Sequence, residues 1–119
     1  QIPRFLEATE TAIVDLSPGA EIVAFGHVGD GNLHYSACEP KNAAHPALSN
    51  SAAKITEIVH EQAMAFGGSI SAEHGVGRLK RDALEEIRPI AATKAMKAIK
   101  KALDPNGIMN PNRVVRLDK

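Results

Sequence analysis

Apolar residues at Ile2, Phe5, Leu6, Ile13 and Leu16 recur close to a helical period, and Pro3 sits where a first turn tolerates a missing N–H. The spacing predicts a helix from Pro3 to about Leu16, stopped by Ser17-Pro18-Gly19. The period then changes. Residues 21–28 (Glu-Ile-Val-Ala-Phe-Gly-His-Val) read as a largely buried strand and 32–38 (Asn-Leu-His-Tyr-Ser-Ala-Cys) as a second. Between them Gly29-Asp30-Gly31 carries the Asp-Gly step of a hairpin, whose turn needs positive φ. A polar, Pro-containing loop over 39–50 leads to a helix from about Ser51 to Phe66. Ala52, Ile55, Val59, Ala63 and Phe66 share one face of it, and Gly67-Gly68 is its stop. Ser69 to Ala72 reads as a short strand, 79–87 as a short helix, and Ile90 to Leu103 as a last helix with Ala92, Met96, Ile99 and Leu103 on a buried stripe. Asp104-Pro105-Asn106-Gly107 closes that helix, and 108–119 is expected to run extended. Leaving aside the short helix over 79–87, the layout is α-β-β-α-β-α, an α+β arrangement of helices on an antiparallel sheet.

Composition narrows the function. A chain of 119 residues, 44% hydrophobic and 24% charged, is globular and expected to form one domain over 1–119. Fourteen basic residues balance fourteen acidic ones, and three Phe, one Tyr and no Trp leave little to stack on bases, so nucleic acid is not an expected partner. Cys38 is alone, which excludes an intrachain disulfide and a paired-Cys zinc site and points to a reducing, cytoplasmic setting. No apolar run approaches the roughly 20 residues of a membrane span. The chain starts without Met, already inside a helical pattern, and reads as a piece of something longer.

Two stretches carry chemistry. If Asp30-Gly31 is the turn, or if the loop is the four residues 29–32, His27 and His34 face each other across the strands. Their Cβ atoms would then lie about 4.5–5.5 Å apart, near enough to share a metal ion. The alternative is two exposed polar residues beside a turn that Asp30 and Asn32 merely shape. The second stretch is Glu73-His74-Gly75-Val76-Gly77, a carboxylate beside an imidazole and two glycines that let backbone approach a ligand. Glu73 completes a two-His, one-carboxylate set suited to Zn²⁺, Mn²⁺ or Fe²⁺, leaving His74 as a base; an exposed loop with a surface ion pair is the alternative. Arg78, Lys80 and Arg81 could attract an anionic substrate, whereas Lys94, Lys97, Lys100 and Lys101 read as a solvated face near a helix C-terminus. His45 and His60 read as surface residues.

Three blocks occur in one order: Gly26-His27-Val28-Gly29-Asp30-Gly31-Asn32-Leu33-His34, then Ala72-Glu73-His74-Gly75-Val76-Gly77 with Lys80, then Asp104-Pro105-Asn106-Gly107-Ile108-Met109-Asn110-Pro111. In these blocks the chain resembles the C-terminal domain of FAD-linked oxidases of the vanillyl-alcohol oxidase type. That group holds the D-2-hydroxyacid dehydrogenases: flavin-dependent D-lactate dehydrogenase, the glycolate oxidase flavin subunit and D-2-hydroxyglutarate dehydrogenase. The resemblance implies a ferredoxin-like α+β sandwich truncated at its N-terminal edge. It implies that His27, His34 and Glu73 hold a divalent metal, zinc or manganese, and that His74 removes the hydroxyl proton of a 2-hydroxyacid while hydride passes to FAD, leaving a 2-keto acid. Asn110 would meet the flavin, with 108–119 returning to an FAD-binding domain that precedes this chain and binds most of the cofactor. The fragment alone is expected to be inactive, and a homodimer is the assembly to test. Two departures stand out. Asn112 and Arg113 follow Pro111 where the pattern usually continues Gly-Lys, and Ser36 stands where hydroxyglutarate-type members tend to carry Asn. The rival readings are a non-catalytic metal-binding or regulatory module and a non-haem iron oxygenase using the same two-His, one-carboxylate set.

Overall fold

The structure, a computed structural model, describes residues 1–40 and 48–117, so the expectation for His45 lies outside the described residues. The chain forms two compact units, Gln1–Glu73 and His74–Lys119.

The first unit holds α1 (Ile2–Leu16), β1 (Glu21–His27), β2 (Asn32–Cys38) and α2 (Leu48–Ala65). Phe5, Thr9 and Ile13, spaced four apart, are the buried line of α1, and Thr9 and Ile13 are 0% exposed. A hydroxyl survives there because Thr9 Oγ1 donates to the Phe5 carbonyl at 2.6 Å. Phe5 meets Tyr35 of β2 edge-on at 5.9 Å between ring centres, and Phe66, just past α2, at 6.1 Å. This aromatic cluster ties the two helices to the hairpin. Burial, with a smaller contribution from Glu10, pushes the Tyr35 hydroxyl up to about 12. The end of α2 is a Schellman cap: Gly67, at φ +76°, donates to Met64, and Gly68 donates to Ala63.

β1 and β2 pair antiparallel from Glu21 opposite Cys38 to His27 opposite Asn32. The direct His27–His34 pairing expected from an Asp30-Gly31 turn is therefore not formed; Phe25 lies opposite His34 instead. The cause is the turn, a four-residue loop over Val28–Gly31 that begins one residue earlier than expected. Asp30 N–H donates to the His27 carbonyl at 3.3 Å, and Gly31 carries the positive φ, at +73°. Because this shift preserves the parity of the pairing, His27 and His34 still share a face, now as a diagonal pair. The sheet has two strands among the described residues, which leaves most of β1 exposed rather than buried. The expected strand over 69–72 does not form. Ser69 Oγ donates to the Ser71 carbonyl at 3.2 Å, a local bond that competes with a ladder, although Ile70 is buried.

The second unit holds α3 (Arg81–Ile87) and α4 (Ile90–Leu103). α4 forms where expected, but the buried stripe expected on it does not: no residue of the helix is buried, and Ile99 and Leu103 are 60% and 76% exposed, because a unit with so few elements cannot cover them. The expectation of an extended tail is overturned. Asp104, 4% exposed, accepts Lys100 Nζ at 2.6 Å and the N–H groups of Ile108 and Met109 at 3.0 Å each. The Lys100 ammonium, with those N–H groups, holds the Asp104 carboxyl below the usual carboxylate range against the opposing effect of burial. Beyond this anchor the chain turns repeatedly, with Asn110, Asn112 and Val114 at φ +45°, +58° and +64°. Asn tolerates this left-handed region, so Asn112 keeps the conformation that a Gly would have adopted. Val114, which does not favour it, is held by its N–H to the Gly77 carbonyl at 2.8 Å. The α+β class is as the sequence predicts. No helix among the described residues is long and apolar enough to cross a membrane.

Candidate functional site

In the first unit the hairpin presents His27 from the last position of β1 and His34 from the middle of β2, with their rings perpendicular and 6.4 Å apart. The third member arrives from the other end of the unit. After the Gly67-Gly68 cap, the irregular stretch through Ala72 brings Glu73 back to the hairpin, where the carboxylate divides its oxygens between the two imidazoles. Oε1 lies 2.9 Å from His34 Nε2 and Oε2 lies 3.8 Å from His27 Nδ1. The side chains of His34, Glu73 and His27 are 26%, 40% and 62% exposed, so the cluster faces an opening rather than a sealed core.

Two neighbours fix the rings. Phe25, opposite His34 in the ladder, stacks on it at 4.9 Å with an 18° tilt. Asn32 Nδ2 lies 3.4 Å from His27 Nδ1. At Gly26, beside His27, the strands approach closely: a Cβ there would run into the Asn32 carbonyl and the Leu33 Cα. Two imidazole nitrogens and one carboxylate form a donor set that could hold a divalent transition metal such as zinc or manganese. As it stands, the 2.9 Å separation suits a hydrogen bond in which His34 Nε2–H donates to Glu73.

His27, His34 and Glu73 are thus brought together within one unit. His74, the next residue, is exposed and opens the second unit, followed by Gly75 and Gly77 at φ +72° and +55°. Asn110 belongs to the wound tail of that unit. Of the basic residues read as a solvated face, Lys100 instead anchors Asp104, and Lys97 pairs with Glu85 at 3.4 Å. His60 is half-buried on α2, and Cys38 is exposed. Sequence reasoning missed Phe25 and Asn32 as supports of the two imidazoles, because both depend on the register. It also missed Asp104 as an anchor, although an Asp at the end of a helix followed by Pro and Gly is a signal that could have found it.

Residues 1–114, all of the first unit and most of the second, match the family described as FAD linked oxidases, C-terminal domain. The chain is 43% identical over 96% of its length to D-2-hydroxyglutarate dehydrogenase of Stutzerimonas stutzeri, covering 25% of that protein. It is 34% identical over 95% to D-2-hydroxyglutarate dehydrogenase of Xanthomonas citri, covering 24% of it. To D-lactate dehydrogenase of Anaerostipes hadrus it is 34% identical over 96%, covering 23% of that protein. The chain thus spans about a quarter of the length of these relatives. With the match running over nearly all of its residues, the chain belongs to the FAD-linked oxidases, as their C-terminal domain.

Proposed function

We propose that this chain is the substrate- and metal-binding part of an FAD-dependent D-2-hydroxyacid dehydrogenase, a single domain over 1–119 whose flavin is bound mainly by a preceding domain of the same polypeptide. The observation that carries the reading is the Glu73 carboxylate divided between His27 and His34 on one hairpin face. In the full-length enzyme a bound flavin would supply the hydride acceptor, and a divalent metal ion, zinc or manganese, would supply a Lewis acid to lower the pKa of a bound hydroxyl. His27, His34 and Glu73 are the residues that would hold the ion. Their exposure leaves room for the carboxylate and hydroxyl of a 2-hydroxyacid to approach. His74 takes the hydroxyl proton on an imidazole nitrogen, and the glycines at 75 and 77 let the chain bend closely around the substrate. Asn110, just beyond the Ile108 and Met109 N–H groups that Asp104 anchors, is the residue of this chain that would contact the flavin.

The family match and the names of the relatives, which are dehydrogenases of D-2-hydroxyglutarate and D-lactate, support the substrate class. The expected setting is the cytoplasm. Turnover of a panel of D-2-hydroxyacids and their L-enantiomers by the full-length polypeptide tests the proposal. Oxidation of a D-acid to its 2-keto acid with flavin reduction supports it, and failure to reduce the flavin with any acid of the panel overturns it.

A further inference from the structure

Beside the tail of the second unit lies a cleft of about 660 Å³ whose walls include Arg78, Arg81, Arg113 and Arg116. The proposed oxidation gives these four side chains no role; among the other lining residues, Asn110 is the one it assigns to the flavin. Their positions are partly fixed. The Arg81 side chain is 11% exposed, its Nε is bound to Asp82 at 2.8 Å, and its Nη1 donates to the Asn112 carbonyl at 2.9 Å. Arg116 reaches the same Asp82 oxygen at 3.1 Å. The Arg81 guanidinium holds the Asp82 carboxyl below the usual carboxylate range.

The charges do not cancel. Asp82 serves two of the guanidiniums, Glu85 is shared between Lys97 and the Arg116 N–H and also acts on Arg81, and the cleft wall itself carries no acidic residue. Arg78 and Arg113 have no ion-pair partner among the described residues. In a chain of zero net charge, gathering four guanidiniums around one opening raises a local positive potential that an anion would relieve. Guanidinium is also the group whose planar fork matches the oxygens of phosphate and carboxylate two at a time. No aromatic residue lines the cleft, so nothing there would hold a base or an apolar body. A volume of about 660 Å³ has space for a small anion with its partial hydration shell.

We propose that this cleft binds a small, multiply charged oxyanion, a phosphate group or a polycarboxylate, held chiefly by Arg78 and Arg113 with Arg81 as the fixed wall. The site is separate in its residues from the His27–His34–Glu73 cluster.

Isothermal titration of the full-length polypeptide with inorganic phosphate, and separately with succinate, tests this. Wild type should bind at least one of the two saturably at one per chain. Arg78→Gln/Arg113→Gln should bind it at least tenfold more weakly with an unchanged circular dichroism spectrum. Arg78→Lys/Arg113→Lys, which keeps the charge, should recover part of the affinity. Lys54→Gln, a change of charge outside the cleft, and His34→Ala, which alters the hairpin cluster, should leave binding intact. Saturation by phosphate alone or by succinate alone identifies the group preferred. Absence of saturable binding by wild type, equal binding by the double Gln variant, or loss in His34→Ala with retention in that variant overturns the proposal. So does binding of an acidic peptide in place of both small anions.

Discussion

Replacing Gly26 with Ala isolates the feature on which the hairpin face depends. The added Cβ would collide with the Asn32 carbonyl oxygen and sit 2.9 Å from the Leu33 Cα and 3.0 Å from the Asn32 carbonyl carbon. All three atoms are backbone of the partner strand, so no side chain can swing aside, and the strands must part at the Gly26–Leu33 pair. Overpacking of this kind costs about 1–3 kcal/mol, and a weakened ladder bond adds about 1, giving a loss of about 2–4 kcal/mol. Two neighbouring glycines calibrate the number. A Cβ at Gly29 meets nothing within 4 Å, so Gly29→Ala should change stability by less than about 0.5 kcal/mol. Gly31 also faces open space but sits at φ +73°, so Gly31→Ala should cost about 1–2 kcal/mol from backbone strain alone. Urea denaturation of the three variants, followed by circular dichroism and fitted with a common m-value, reads the series. Gly26→Ala indistinguishable from Gly29→Ala would refute the close approach of the strands. So would a larger effect at Gly31 than at Gly26.

Other predictions concern the anchor and the base. Asp104 has its carboxyl lowered by Lys100, so its contribution to stability is present in full above the unfolded carboxylate value and is lost as pH falls through the lower folded value. Thermal denaturation should therefore show Asp104→Asn less stable than wild type near pH 6, with the gap narrowing below about pH 4; a gap that widens in acid would contradict this. His74→Ala should keep its metal while losing about 10²–10⁴ in turnover of the best D-2-hydroxyacid, as expected for a removed general base, and full activity in a steady-state assay would remove His74 from the mechanism.

What could be read from the chain divides along physical lines. Local signals placed the helices well: Pro3 near the start of α1, the Gly67-Gly68 stop of α2, and the periodic run that gives α4 over Ile90–Leu103 are all set by near neighbours in sequence. The hairpin was equally legible in its strands, but its register rested on where four loop residues begin, which an Asp-Gly step leaves open by one position. His27 and His34 survived that error as same-face residues only because the shift kept the parity of the pairing. Distance in sequence defeated the rest. That Glu73 reaches both imidazoles depends on the path of residues 67–72, where the alternating pattern suggested a strand and side-chain bonding of Ser69 gave none. The tail looked extended because its Asn and Pro residues carry no period. In the structure its course is set by the buried carboxylate of Asp104 and by left-handed residues that include Asn112, where Gly was missed from the pattern.

The metal content of the full-length polypeptide tests the central claim most directly. Inductively coupled plasma mass spectrometry on wild type, His27→Ala, His34→Ala and Glu73→Gln, each dialysed against the same buffered zinc or manganese, should find close to one ion per chain in wild type and a substantial loss in every variant. Wild-type occupancy retained in all three variants would contradict the assignment of His27, His34 and Glu73 as the ligands.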